Sequence, residues 1–200
     1  SSLTFEPRPS SVSLQIDEGA FQNCKGIRSL VLPDTRTAIG SNAFDFCTAL
    51  QSVRLGNGTE NIDVKAFNAC NLKFIDVPTS VVSIGEDALY RSYGATIYFH
   101  TAEPPAMNAR ICSTDAVIYV PAPAVDTYKA LSSLSQNKVL PYALTGLSLD
   151  KTSLTLGTGA TDTLCATIAP EQFAGLNVRY TSSNEDVVSV DHAGVLVGKK

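Results

Sequence analysis

The chain has 200 residues, 44% of them apolar, with a formal net charge of −4. That length allows one large domain or two modest ones. No apolar run is long enough to span a bilayer, which excludes direct membrane insertion, and the acidic balance excludes nucleic acid, whose phosphates call for a clustered basic face.

The first residues, Ser1-Ser2, carry no Met, and Leu3-Thr4-Phe5 reads as a strand entered partway through a repeat. The expectation is a processed or trimmed start, with any targeting signal out of view. From Ile16 to Phe99 one pattern returns four times. It runs Ile16…Ala20-Phe21…Cys24…Ile27…Leu30…Leu32, then Ile39…Ala43-Phe44…Cys47…Leu50…Val53…Leu55. The third copy is Ile62…Ala66-Phe67…Cys70…Leu72…Ile75…Val77, and the fourth is Ile84…Ala88-Leu89…Ser92…Ile97…Phe99. The leading isoleucines lie 23, 23 and 22 residues apart. A repeat in the low twenties is a solenoid signature.

Each copy has two halves. Ile39, Ala43, Phe44 and Cys47 fall at helical spacing, which predicts a short helix or helical turn with that face inward. Val53 and Leu55 alternate with Arg54, which predicts a short strand with Arg54 outward. Pro33, Gly56 and Pro78 stop these strands. Stacked copies pair their strands into a parallel sheet and bury a continuous column, with Phe21, Phe44, Phe67 and Leu89 as one inner ladder.

After Phe99 the pattern frays at Pro104-Pro105. Val117-Ile118-Tyr119-Val120 reads as one more strand in register with Ile97-Tyr98-Phe99. Val125, Tyr128, Leu131 and Leu134 have helical spacing, and Val139-Leu140-Pro141 reads as a last edge segment. Residues 104–142 are therefore assigned to a cap closing a repeat domain over 1–143. From residue 144 the texture becomes period two: Leu147 to Leu156, Leu164 to Ile168, Val178 to Tyr180, Val187 to Val190 and Val195 to Val197. Short strands at that spacing predict a small β-sandwich over 144–200, shorter than a complete one. The fold class expected is thus an α/β solenoid of short parallel strands and helical turns, followed by a small all-β unit.

Cys24, Cys47 and Cys70 share one repeat position, which predicts stacked, buried free thiols. Cys165 is placed on a sandwich strand with no partner nearby. No Cys/His spacing suits a metal, and no cofactor motif is present. His100 and His192 fall in different modules and in no evident triad. Asp17, Asp63, Glu86 and Asp87 sit where helical turns would begin, which predicts capping rather than catalysis. Asn57-Gly58-Thr59 predicts a turn. With no GxSxG or Walker loop either, an enzyme is not expected.

The outer face of the sheet carries the sharper expectation. Val31, Arg54, Asp76, Tyr98 and Tyr119 should form one outward column, and Ser29, Ser52, Phe74, Thr96 and Val117 its neighbour. Phe74, Tyr98, Tyr119, Arg54 and Asp76 then make a patch of exposed aromatics flanked by charge, suited to a protein or a sugar.

The repeat resembles the BspA-like leucine-rich repeats of bacterial surface proteins, on Ile39, Ala43, Phe44, Cys47, Leu50, Val53 and Leu55. Ile118-Tyr-Val-Pro-Ala122 with Val125 and Tyr128 is similar to the unit that closes such arrays. The fourth copy departs, with Leu89 for Phe and Ser92 for Cys. The tail resembles a group 2 bacterial Ig-like domain, on Thr152-Ser-Leu-Thr-Leu156, Ala169-Pro170, Tyr180 to Val190 and Gly194 to Gly198. The resemblance implies an exported surface protein with a non-enzymatic adhesion or binding role toward a host or neighbouring-cell protein or glycan, without a cofactor. The competing expectations are a structural spacer and an accessory, glycan-holding part of a larger exported protein.

Overall fold

The computed structural model describes residues 1–5, 12–142, 144–169, 178–191 and 193–200. Pro170 and His192 lie outside the described residues. The chain divides into two units, Ser1–Ala143 and Leu144–Lys200.

In chain order the first unit holds β1 (Ser2–Thr4), β2 (Leu14–Ile16), β3 (Ser29–Val31), β4 (Thr37–Ile39), β5 (Ser52–Arg54) and β6 (Thr59–Ile62). There follow β7 (Phe74–Val77), β8 (Ser83–Ile84), β9 (Thr96–Phe99), β10 (Val117–Pro121), α1 (Val125–Lys129) and β11 (Lys138–Tyr142). The odd strands to β9, with β10 and β11, form a seven-stranded sheet in the order β1-β3-β5-β7-β9-β10-β11. The others form a second sheet, β2-β4-β6-β8. Every pairing in both is parallel. One coil is thus a strand of the first sheet, a corner, a strand of the second sheet, and an arc of turns leading back.

The second sheet was not expected from the sequence. Its strands are only two to four residues long, and buried Thr37 and Thr59 sit among their inward positions. At the corner between the sheets the coils touch backbone to backbone. A Cβ on Gly56 would lie 1.7 Å from the Pro33 carbonyl oxygen, and one on Gly58 would lie 2.3 Å from that of Thr35. Glycine is the side chain that admits this approach.

The arcs differ from the short helices expected. Their inward residues are the expected ones, since Ile39, Ala43, Phe44 and Cys47 are all fully buried. Their backbone, however, alternates its hydrogen bonds. Asn42, Phe44 and Phe46 donate to Val64, Ala66 and Asn68 of the next coil at 2.8–2.9 Å. Ala43, Asp45 and Cys47 donate to Gly40, Asn42 and Phe44 of their own arc at 3.0–3.2 Å. Two left-handed residues bend each arc, Asn42 and Phe46 in one, Lys65 and Ala69 in the next, then Asp87 and Arg91. With no helix there, the capping expected of Asp17, Asp63, Glu86 and Asp87 has nothing to cap, and Asp87 itself occupies a left-handed position.

The core is the column the repeat predicts. The rings of Phe21, Phe44 and Phe67 stack at 5.1 and 5.2 Å, each pair tilted by 6°, with buried Leu89 next. Beside them the Cys47 thiol donates to the Phe21 carbonyl at 3.2 Å and that of Cys70 to Phe44 at 3.3 Å. Ser92 takes the same repeat position, but its hydroxyl donates to a different acceptor, the Cys70 carbonyl at 3.3 Å, in place of a Phe carbonyl. Burial pushes the Cys47 thiol up to about 11 and that of Cys112 to about 12, and raises Cys70 as well. At neutral pH these thiols stay protonated and unreactive.

Residues after Pro105 add a fifth coil. Ala106 bridges to Ser83 and Cys112 to Leu89, and Ile111, Cys112 and Ala116 are buried. β10 pairs with β9 in the expected register, Ile118 against Ile97 and Tyr119 against Tyr98. The helical stretch beyond it is shorter than its apolar spacing suggests: α1 ends at Lys129, and a 3-10 turn holds Ser132–Leu134. Tyr128 is buried against Phe99 at 5.2 Å, with its hydroxyl 2.9 Å from the Thr101 hydroxyl.

The second unit holds β12 (Gly146–Leu149), β13 (Thr161–Thr163), β14 (Ala166–Ala169), β15 (Val188–Val190) and β16 (Val195–Gly198). They form two antiparallel sheets, β12-β14 and β13-β16-β15. Cys165 precedes β14 rather than lying on a strand, and it is an exposed free thiol. Lys151 pairs with Asp162 at 2.5 Å.

Candidate binding face

The outward columns of the first sheet are set by its register. Val31 pairs with Arg54, Arg54 with Asp76, Asp76 with Tyr98, and Tyr98 with Tyr119. Ser29, Ser52, Phe74, Thr96 and Val117 pair in the same way. All five residues singled out in the sequence therefore stand on one face, on adjacent strands. The Tyr98 and Tyr119 rings stack at 5.5 Å with an 18° tilt.

Their exposure differs from expectation. Tyr98 is 3% and Asp76 4% exposed, so these two are not part of an open aromatic patch. Phe74 and Tyr119 are half-buried. Strands lie about 4.8 Å apart, so large side chains in one column cover each other's flanks. Arg54 is similarly held: its side chain is 16% exposed and its Nη2 lies 3.7 Å from Asp34 Oδ1. Its Nη1 is buried and finds no hydrogen-bond partner among the described residues.

Two further residues join the face. His100 follows Tyr98 by two positions, so strand alternation turns it to the same side. Its Nε2 bonds Asp76 Oδ1, and its Nδ1 lies 3.0 Å from the Tyr142 hydroxyl. An ionised carboxylate only accepts, so Nε2 carries the proton. In the neutral ring Nδ1 then accepts from the Tyr142 O–H. Asp76, His100 and Tyr142 are thereby fixed in one chain of bonds across β7, β9 and β11. Burial, with the Asp76 charge adding to it, raises Tyr142, and burial with Tyr119 and Asp76 raises Tyr98. Both phenols are neutral at physiological pH. His100 lies two residues past Tyr98 of the first column, and Tyr142 two past Leu140, which pairs with Tyr119 and extends that column onto β11. Among the described residues no group of three or more His, Cys, Asp or Glu could hold a metal ion.

Comparison with known proteins fits this architecture. Residues 11–102 match the model of the BspA type leucine rich repeat region, in six copies. These residues are a BspA-type leucine-rich repeat array. Residues 143–200 match the bacterial Ig-like domain (group 2) and form the C-terminal Ig-like domain. Among solved structures the chain is similar to a leucine rich cell surface protein from Faecalibacterium prausnitzii A2-165, at 18% identity and a TM-score of 0.40 over 55% of this chain. It is also similar to a leucine-rich repeat protein from Bacteroides ovatus ATCC 8483, at 16% identity and a TM-score of 0.38 over 59% of this chain. The chain spans 39% of the length of each. No curated protein matches it. Leucine-rich repeats and Ig-like domains are typically non-catalytic binding modules, and the BspA-type array points to a protein-binding or surface role. No helix among the described residues is long and apolar enough to cross a membrane.

Proposed function

We propose that the chain is a non-enzymatic, exported cell-surface module that binds a protein or glycan of a host or neighbouring cell on the outer face of its first sheet. The observation that carries this is the register, which sets Arg54, Asp76, Tyr98 and Tyr119 on successive strands with Phe74 in the next column. Half-buried Phe74, Tyr119 and Arg54 supply the contacts, since aromatic and arginine side chains are the usual anchors of an interface. Buried Asp76 and Tyr98 form the floor that holds them. The test is retention of the chain on an array of extracellular-matrix proteins, mucins and polysaccharides. Saturable retention of at least one component, weakened by Phe74→Ala with Arg54→Ala, supports the reading. Retention untouched by both substitutions sinks the face.

The burial of Tyr98 and Asp76 favours a second reading, a spacer in which this cluster only stiffens the array. It expects no retention on any component, and unfolding at lower denaturant when His100 is replaced by Ala.

A further inference from the structure

The Asn57-Gly58-Thr59 stretch, expected as a turn, is the corner between β5 and β6, and the binding face makes no use of it. The Thr59 N–H closes the turn on the Gly56 carbonyl at 3.0 Å. Asn57 is exposed, and its side-chain amide makes no hydrogen bond among the described residues. The backbone around it is held from several sides. The Asn57 N–H donates to Asp34 Oδ1 at 2.8 Å, and the Gly58 carbonyl accepts from the Thr37 N–H at 2.9 Å. On either side, Gly56 and Gly58 press against Pro33 and Thr35 of the preceding coil so closely that neither has room for a Cβ.

An asparagine followed by glycine carries its own chemistry. The Gly58 nitrogen gives up its proton to hydroxide and attacks Asn57 Cγ; the C–N bond to the amide breaks and ammonia leaves. Water then opens the resulting cyclic imide at either of its carbonyls. One opening gives aspartate, the other isoaspartate, and the net change is water taken up and ammonia lost. Glycine favours the ring because it has no Cβ to crowd it. Ring closure requires rotation about the Asn57 Cα–C bond. In the folded coil that rotation would pull the Gly58 carbonyl off Thr37 and drive Gly58 into Thr35. The folded corner therefore withholds the reaction although Asn57 itself is open to solvent.

We infer that Asn57 is a deamidation site unlocked by unfolding of its coil, and that isoaspartate formed there keeps the corner from closing again. Isoaspartate routes the main chain through the side-chain methylene, so one extra backbone bond enters a corner pinned at Pro33 and Thr35. Ordinary aspartate adds a charge beside Asp34 but no length, and the corner accepts it. Unfolding thus becomes irreversible through a chemical change in the unfolded chain.

The test is ageing of the 200-residue chain at pH 8 in buffer and in guanidinium chloride, with position 57 read by mass spectrometry after digestion. Conversion in buffer should be at least about tenfold slower, because it waits on an opening of the corner. Chain aged in denaturant is then diluted into buffer, and the folded and unfolded fractions are separated by size exclusion. Isoaspartate at position 57 should be confined to the unfolded fraction, while Asn57→Gln aged in the same way refolds as fresh chain does. Equal conversion in buffer and denaturant would overturn the protection. Isoaspartate in the folded fraction at its share of the whole sample would overturn the block, as would an aged Asn57→Gln chain that fails to refold to the same extent.

Discussion

Replacing Phe44 by Ala should cost this chain about 5 kcal/mol, the upper end of the usual range of roughly 3–5 for a buried Phe. Phe44 is fully buried and lies in the middle of the ladder, with Phe21 at 5.1 Å on one face and Phe67 at 5.2 Å on the other. Removing the ring loses its transfer energy and two aromatic contacts, each worth about 0.5–1.5 kcal/mol beyond area burial. The cavity cannot close easily. The backbone above and below is tied coil to coil through the Phe21 N–H to Ala43, Phe44 to Ala66 and Phe67 to Ala88, each at 2.8 Å. The chain has no Trp, so far-UV circular dichroism in urea is the suitable assay, fitted to one transition per unit. A loss below about 2 kcal/mol in the transition of the repeat unit would refute a rigid, stacked column, because only a collapsible site gives so small a cost.

Gly56→Ala should prevent the corner from closing and leave the repeat unit unfolded or strongly destabilised, whereas Gly26→Ala, with nothing within 4 Å, should leave the urea midpoint nearly unchanged. Equal midpoints for the two would contradict the backbone contact at Pro33. Tyr98→Ala should destabilise the repeat unit by about 3 kcal/mol, because the ring is buried against Tyr119; an unchanged midpoint would return Tyr98 to the open surface. Iodoacetamide at pH 8 should label Cys165 readily and leave Cys47, Cys70 and Cys112 unmodified until urea is added. Burial pushes the pKa of each of these thiols up, so at that pH the reactive thiolate is scarce in the folded chain. Mass spectrometry showing early labelling of Cys47 would contradict the packing.

Much of the inner architecture was readable because the repeat supplies its own register. Once Ile16, Ile39, Ile62 and Ile84 are aligned, Arg54 must fall beside Asp76 and Asp76 beside Tyr98, and they do. The arcs were misread for a physical reason. Inward residues at Ile39, Ala43, Phe44 and Cys47 satisfy a helical period and a pair of left-handed turns equally well. A partial discriminating signal was Gly19, Asn42 and Asp87 at one left-handed position of the repeat and Asn23 at the other, residue types that tolerate positive φ; Lys65, Phe46, Ala69 and Arg91 at the equivalent places give none. The second sheet was missed because strands such as Leu14–Ile16 and Thr37–Ile39 are too short to show alternation. Burial of Tyr98 and Asp76 was not legible either. The pattern of one strand fixes which side a residue faces, whereas its exposure depends on side chains from neighbouring strands, here Tyr119 and His100.

The central claim is that the outer face of the first sheet binds. The most direct measurement is the affinity of the wild-type chain and of Phe74→Ala for the component it retains best on the array, read by biolayer interferometry. Phe74 is half-buried, so its loss should spare the fold, and the account predicts affinity at least tenfold weaker, equivalent to about 1.4 kcal/mol. An affinity equal to wild type, from a variant with an unchanged urea midpoint, would contradict it.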